Sequence, residues 1–298
     1  MGEEPTGGEH SEERFTVLVA LGEPEHVPQL MRTAIDLARD RNGVIELVSV
    51  VHRPSGSPFR LFEEEHLRES YADHQRAILD RAVQLAEAAS VPVDRSMPVG
   101  ANIAETILEA TRRVDADALL LGWEERSRAS NLVLGTTVDP LVRRAGCRVY
   151  VERIGTTAER VESVLLPTDG GPNARAAVDL ATAIARANDA RLDLVTFLAP
   201  EAETSRETRA RESLETIVRE VEDLAIETAI ERSDSVAEAI ISAASDNDIV
   251  VLGATRERRF QQRVVGSVAR AVGARIEAPV VIAREAPDPS RWRRLWPW

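Results

Sequence analysis

The run Asp117-Ala-Leu-Leu-Leu-Gly122 returns as Asp248-Ile-Val-Val-Leu-Gly253, and Gly135-Thr136 returns as Gly266-Ser267, each 131 residues further on. The runs Phe15-Thr-Val-Leu-Val-Ala-Leu-Gly22 and Glu162-Ser-Val-Leu-Leu-Pro-Thr-Asp169 match in the same way, 147 residues apart. Two spacings that differ by 16 residues describe one unit written twice, the second time shortened, most simply in its long second helix. Such a duplication confines the chain to a fold that one copy of about half its length can adopt.

Each copy alternates strand and helix. A β-branched run opens it, then an amphipathic helix follows; in the second copy Ala174, Ala177, Val178, Ala181, Ile184 and Ala185 fall on one face. Val44–Val51 matches Arg191–Leu198 as a second strand, and Phe59–Ser90 matches Ala202–Asp223 as a long polar helix. Val91–Val99 and Leu224–Glu231 are third strands, with helices at Ile103–Val114 and Val236–Ser245 after them. This alternation predicts an α/β fold: two tandem doubly wound domains, each a parallel sheet covered on both faces and joined by right-handed crossovers. The expected divisions are an acidic, disordered lead at 1–13, copy one at 14–154, a linker at 155–162, copy two at 163–285 and a Trp/Arg-rich tail at 286–298. Each copy ends in an apolar strand, Arg148–Glu152 or Pro279–Arg284, that would leave a bare sheet edge. Val149 and Val151 are therefore expected beside Val280–Ile282 within one chain, forming a pseudo-twofold dimer; a homodimer of the whole chain is a further option.

Charge and composition remove several classes of function. The chain carries 50 acidic residues against 37 basic ones, net −13, and every basic residue is arginine. An acidic surface without lysine is similar to the halophilic pattern, in which concentrated salt screens self-repulsion. It argues against duplex nucleic acid as the main partner, which needs a broad basic face. The apolar runs are far shorter than the roughly 20 residues that span a bilayer, and the lead, with five glutamates, is the opposite of a secretory signal. A cytoplasmic protein is expected. The single cysteine, Cys147, starts an apolar run and reads as a buried, inert thiol. His10, His26, His52, His66 and His74 all lie in the first copy without metal-pair spacing and are expected to be exposed. A Walker loop is excluded without lysine, and neither first strand is followed by Gly-x-Gly-x-x-Gly. No constellation for covalent or acid–base chemistry stands out, so an enzyme is not expected.

In an open parallel sheet, ligands bind beyond the carboxyl ends of the strands, near the switch in strand order. In the second copy those positions are Asp169 and the loop 254–265, which closes on Gly266-Ser267 at a helix start. Backbone N–H groups at that start, with the Ser267 hydroxyl, suit an anion; helix capping by Ser267 and a plain turn at Asp169-Gly-Gly are the alternatives. The loop carries Arg256, Glu257, Arg258, Arg259 and Arg263, net +3, whereas its counterpart holds Glu124, Glu125, Arg126 and Arg128, net zero. A solvated arginine face is the alternative for that loop.

The spacing Gly253, two residues, Arg256, nine residues, Gly266-Ser267 resembles the phosphate loop of nucleotide-binding universal stress proteins, with arginine in place of the middle glycine. The first copy repeats the frame as Gly122, Glu125, Gly135-Thr136. The resemblance covers both copies. It implies a Rossmann-like fold of the adenine-nucleotide alpha-hydrolase type and, in the second copy, a site for ATP or AMP. Adenosine would lie near Asp169, Thr196 and Phe197 and the phosphates at Gly253, Gly266 and Ser267, with Pro167, Thr168, Leu252, Arg256 and Val268 also among the cofactor-binding residues. The first copy, with Gly22 in place of the aspartate, would be a degenerate structural partner. The implied role is a stress-response regulator. A nucleotide-free interaction module acting on a partner such as a membrane transporter is the alternative, and a slow ATPase stands third. The tail's Trp292, Trp296 and Trp298 are expected to dock on the body of the protein or on a protein partner.

Overall fold

A computed structural model describes residues 14–53, 63–124, 134–158, 160–171, 173–221, 223–254 and 267–287. In copy one the elements are β1 (Thr16–Ala20), α1 (Val27–Asp40), β2 (Val44–Val48), β3 (Val51–His52), α2 (Glu63–Ala88), β4 (Val93–Ser96), β5 (Val99–Gly100), α3 (Ile103–Arg113), β6 (Ala118–Trp123), α4 (Gly135–Arg144) and β7 (Arg148–Arg153). Copy two follows with β8 (Ser163–Pro167), α5 (Ala174–Asn188), β9 (Arg191–Leu198), α6 (Thr204–Glu220), β10 (Ile226–Arg232), α7 (Val236–Ala244), β11 (Ile249–Gly253), α8 (Ser267–Arg275) and β12 (Val280–Arg284). The second long helix shrinks from 26 residues in α2 to 17 in α6, which accounts for only part of the shortening.

One ten-stranded sheet runs β10-β9-β8-β11-β12-β7-β6-β1-β2-β4, while β3 and β5 form a short ladder of their own. Each copy thus has its strands in the order third, second, first, fourth, fifth, all parallel. The two halves meet antiparallel along β7 and β12, with Glu152 opposite Val281, Val151 opposite Ile282, Tyr150 opposite Ala283 and Val149 opposite Arg284. The last strands do pair within the chain, and the two bare edges become one covered seam. Both faces of the sheet are apolar cores, one beneath α1, α2, α5 and α6 and the other beneath α3, α4, α7 and α8. Strands buried on both faces explain why β6 and β11 read as unbroken apolar runs.

The seam carries specific polar fastenings. Arg153, at the end of β7, reaches into copy two and donates to Gly273 O at 2.7 Å and Ala278 O at 2.8 Å. Its repeat-mate Arg284, at the end of β12, reaches back and donates to Ala145 O at 2.8 Å and Cys147 O at 2.9 Å. Above the sheet α1 packs on α5, so α5 buries Ala176, Leu180 and Ala183 as well as the face expected from its periodicity, of which Ala174 alone stays half-buried. Across that contact Arg41 pairs with Asp179 at 2.8 Å, Arg186 with Asp40 at 2.8 Å, and Arg148 with Asp179 at 3.0 Å.

Cys147 is buried, and burial pushes its thiol up to about 11. With its thiolate scarce at neutral pH, Cys147 should resist a disulfide reagent in the folded chain at pH 7.5 and react fully in denaturant. Fast modification of the folded protein would contradict this placement.

Candidate functional site

The switch in strand order falls between β8 and β11 in copy two and between β1 and β6 in copy one. In copy one the ladder across the switch runs from Val17↔Ala118 to Ala20↔Leu121. In copy two it consists of Ile249↔Val164 and Val250↔Leu165. Pro167 occupies the place of Ala20 and has no N–H to offer the neighbouring strand, which gives the shorter ladder a covalent cause. The crevice opens where these strands part.

The chain leaving β8 turns at once. Asp169 accepts from Gly171 N at 2.8 Å through Oδ1, Gly170 takes φ +68°, and Thr168 Oγ1 accepts from Gly170 N at 3.2 Å. This Asx-type turn holds Asp169 exposed at the mouth, with Pro167 and Thr168 half-buried behind it. Thr196 is buried, and its hydroxyl donates to Thr168 O at 2.8 Å, so it fixes the end of β8 from β9. Phe197 and Leu252 belong to the lower core. Gly253 ends β11, and α8 begins at Ser267 with Val268 half-buried in its first turn. Arg256 and Gly266 lie outside the described residues, as do the rest of the arginine loop and the tail tryptophans Trp292, Trp296 and Trp298. The structure therefore brings Thr168, Asp169 and Thr196 together directly, with Gly253 on the adjoining strand.

Two positions not singled out from the sequence shape the crevice. Asn173 precedes α5, is buried, and donates through Nδ2 to Ala254 O; its Oδ1 accepts from Glu285 N at 3.0 Å. It ties together the ends of β11 and β12 and the start of α5. The residue 147 places earlier is His26, at the start of α1. It is not exposed as expected: its side chain keeps 13% exposure, and Nε2 lies 2.8 Å from Glu124 Oε1. Helix α1 follows directly on its turn, and this holds the ring over the end of β6.

The same comparison separates the glycines that end β6 and β11. A Cβ on Gly122 would lie 3.0 Å from Ile154 Cγ1 and 3.3 Å from His26 Nδ1, so side chains already cover it. For a Cβ on Gly253 the three nearest atoms among the described residues all belong to Asn173, at 3.5 to 3.7 Å. The repeat-mate of Ile154 is Glu285, which is drawn sideways to Arg148 Nε at 3.1 Å. Aligning the copies at their two spacings exposes both exchanges, His26 for Asn173 and Ile154 for Glu285, and is the signal that finds them. Among the described residues no group of three or more His, Cys, Asp or Glu side chains could hold a metal ion, and no helix is long and apolar enough to cross a membrane.

The sequence profile of the Universal stress protein family matches residues 13–153 and again 161–284. Universal stress protein Rv2623 of Mycobacterium tuberculosis is 27% identical over 237 residues, covering 72% of this chain and 77% of its own length. The Na(+)/H(+) antiporter NhaS5 of Synechocystis is 24% identical over 266 residues; the match takes in 86% of this chain and 35% of the antiporter, so the chain spans about a third of that relative. Among solved structures, a universal stress protein from Archaeoglobus fulgidus superposes with a TM-score of 0.63 at 17% identity, covering 91% of this chain and 97% of that one. The cytoplasmic domain of a prokaryotic cation chloride cotransporter shares the fold at a TM-score of 0.56 and 10% identity, over 92% and 96% of the two chains. Two family matches in tandem over a mostly parallel α/β sheet lead to one conclusion: the chain belongs to the Universal stress protein family and carries that family's domain twice.

Proposed function

We propose that the crevice of copy two binds an adenine nucleotide, ATP or AMP, and that the chain works as a regulator on the cytoplasmic side rather than as an enzyme. The observation that carries this reading is the contrast at the switch point. Asp169 stands exposed near a strand end, Gly253, where the nearest described atoms to an added Cβ are those of Asn173 at 3.5 to 3.7 Å, while Ile154 and His26 crowd the equivalent glycine in copy one at 3.0 to 3.3 Å. Asp169 offers a carboxylate to the adenosine, and the start of α8 at Ser267 offers N–H groups to phosphate. Pro167, Thr168, Thr196, Phe197, Leu252 and Val268 support these groups. Arg256 either pairs with a phosphate by charge-assisted hydrogen bonds or fills the place of one.

Calorimetric titration of ATP and AMP into wild type, Asp169→Ala and Arg256→Gly tests the proposal. Wild type should bind at least one of the two saturably, and Asp169→Ala should weaken binding by about tenfold or more, the effect of losing one charge-assisted hydrogen bond. Loss of affinity in Arg256→Gly supports phosphate pairing, and a gain for ATP supports occlusion. Absence of saturable binding by all three proteins, at low and high salt, refutes the nucleotide reading. It would favour a second one, a nucleotide-free module acting on a membrane transporter. That alternative is supported by the antiporter alignment and by the fold shared with a cotransporter's cytoplasmic domain.

A further inference from the structure

On the seam the two copies differ in a buried cluster. In copy one, Gln29, Thr33 and Asp36 of α1 and Glu152 of β7 are all buried, and Gln29 and Thr33 hydrogen-bond Glu152. The same four places in copy two hold Ala176, Leu180, Ala183 and Ala283. The fold does not need polar groups there, since the second copy builds the same helix and strand from apolar ones. Buried polar groups that a fold can do without are costly, and these are arranged around one carboxyl.

Glu152 is 1% exposed. Gln29 Nε2 donates to its Oε1 at 2.9 Å and Thr33 Oγ1 to its Oε2 at 2.8 Å, and among the described residues no arginine pairs with it. The same Gln29 holds the start of the linker: Nε2 donates to Arg153 O at 2.7 Å, and Oε1 accepts from Gly155 N at 3.2 Å. Arg32 adds a bond to Ala158 O at 2.7 Å. The state of Glu152 therefore bears on how firmly α1 grips the segment joining the copies.

We propose that Glu152, held in the buried cluster of Gln29, Thr33 and Asp36, is a proton-binding site of the seam, and that taking a proton from solvent tightens the hold of α1 on the inter-copy linker. The protonated carboxyl can donate to Thr33 Oγ1 while its other oxygen still accepts from Gln29, because the hydroxyl of Thr33 rotates to either role. Without the proton, a charge lies buried against neutral donors. Burial pushes Glu152 up to about 7, with Gln29, Thr33 and Arg32 opposing and Asp36 assisting. Asp36, itself raised to about 6 by burial, is moderated by Asn188, Arg32 and Arg39. From the other packed elements, Val281 lies opposite Glu152 across the seam, α5 presents Ala176, Leu180 and Ala183, and Arg153 points to the opposite face of the sheet. An acid raised on folding favours the closed seam when protonated, and that preference disappears as pH rises through the folded value.

Two measurements on the full chain test this. Amide hydrogen exchange at Gly155, corrected for intrinsic rate, should show protection falling by about tenfold between pH 6 and pH 8 in wild type. It should stay nearly level in Glu152→Gln and keep most of its slope in Asp36→Asn. Infrared difference spectra of Asp36→Asn, in which no band can come from Asp36, should still show a protonated carboxylic-acid band at pH 6 that is gone at pH 8.5, which keeps the idea testable if Glu152→Gln does not fold. Level protection in wild type, a slope unchanged in Glu152→Gln or abolished by Asp36→Asn, or no titrating band would overturn it.

Discussion

Replacing Arg284 with leucine should lower the stability of the whole chain by about 3 kcal/mol in urea denaturation, and Arg153→Leu should do nearly the same. Each guanidinium is buried and holds two carbonyls of the other copy. Leucine fills much of the volume but leaves those carbonyls without donors, at about 1–3 kcal/mol each where water cannot reach. The symmetry of the two ties, with Arg153 on Ala278 and Arg284 on Cys147, predicts similar losses and transitions that remain single, because the broken contact belongs to both copies at once. A loss below about 0.5 kcal/mol for either variant would mean that water replaces the tie, and that the seam is wetter than its burial indicates.

Much of this architecture is written in the repeat. Runs that recur in the same order at fixed offsets within a chain require one fold written twice, and unbroken apolar runs such as Ala118–Leu121 and Ile249–Leu252 require strands covered on both sides. The pairing of β7 with β12 follows from the rule that a long apolar edge must be covered. What periodicity could not show is burial imposed by the partner copy. Helix α5 has one apolar stripe facing its own sheet, and the alanines behind that stripe read as neutral filler until α1 packs on them. His26 misleads for the same reason: a lone histidine beside prolines and glutamates looks solvated, and only the start of α1 turns it inward. The placement of Asp169 just past β8 and of Gly253 at the end of β11 was legible, because the spacing of those runs reflects backbone geometry. Asn173 and Glu285 act through contacts between segments far apart in sequence, which spacing does not encode.

The ion pairs of Asp179 on α5 with Arg41, just past α1, and with Arg148 of β7 favour pairing between the two copies over pairing of either copy with its own kind, and the expected result is a large loss for Asp179→Arg. Asp179 is only 14% exposed and sits between Arg41 at 2.8 Å and Arg148 at 3.0 Å, both from copy one. Its counterpart in copy one, 147 places earlier, is Arg32. If two first copies met through the same surface, Arg32 would face Arg41 and Arg148, three like charges in a partly desolvated place. Two second copies would set Asp179 against Asn188 and Pro279, the counterparts of Arg41 and Arg148, and leave the carboxylate without a cation. Only the mixed pairing satisfies the charges, which is specificity obtained by penalising the wrong partners. Asp179→Arg recreates the first-copy arrangement inside the chain and should cost about 3–5 kcal/mol, the range for leaving a buried charge opposed. Asp179→Asn should cost less, since an amide oxygen can still accept from one arginine. Adding Arg148→Asp to Asp179→Arg should recover part of the loss in a double-mutant cycle, because Arg148 also serves Glu285 and that contact is not restored. A charge reversal that leaves the unfolding midpoint in place would show that apolar packing alone selects the partner.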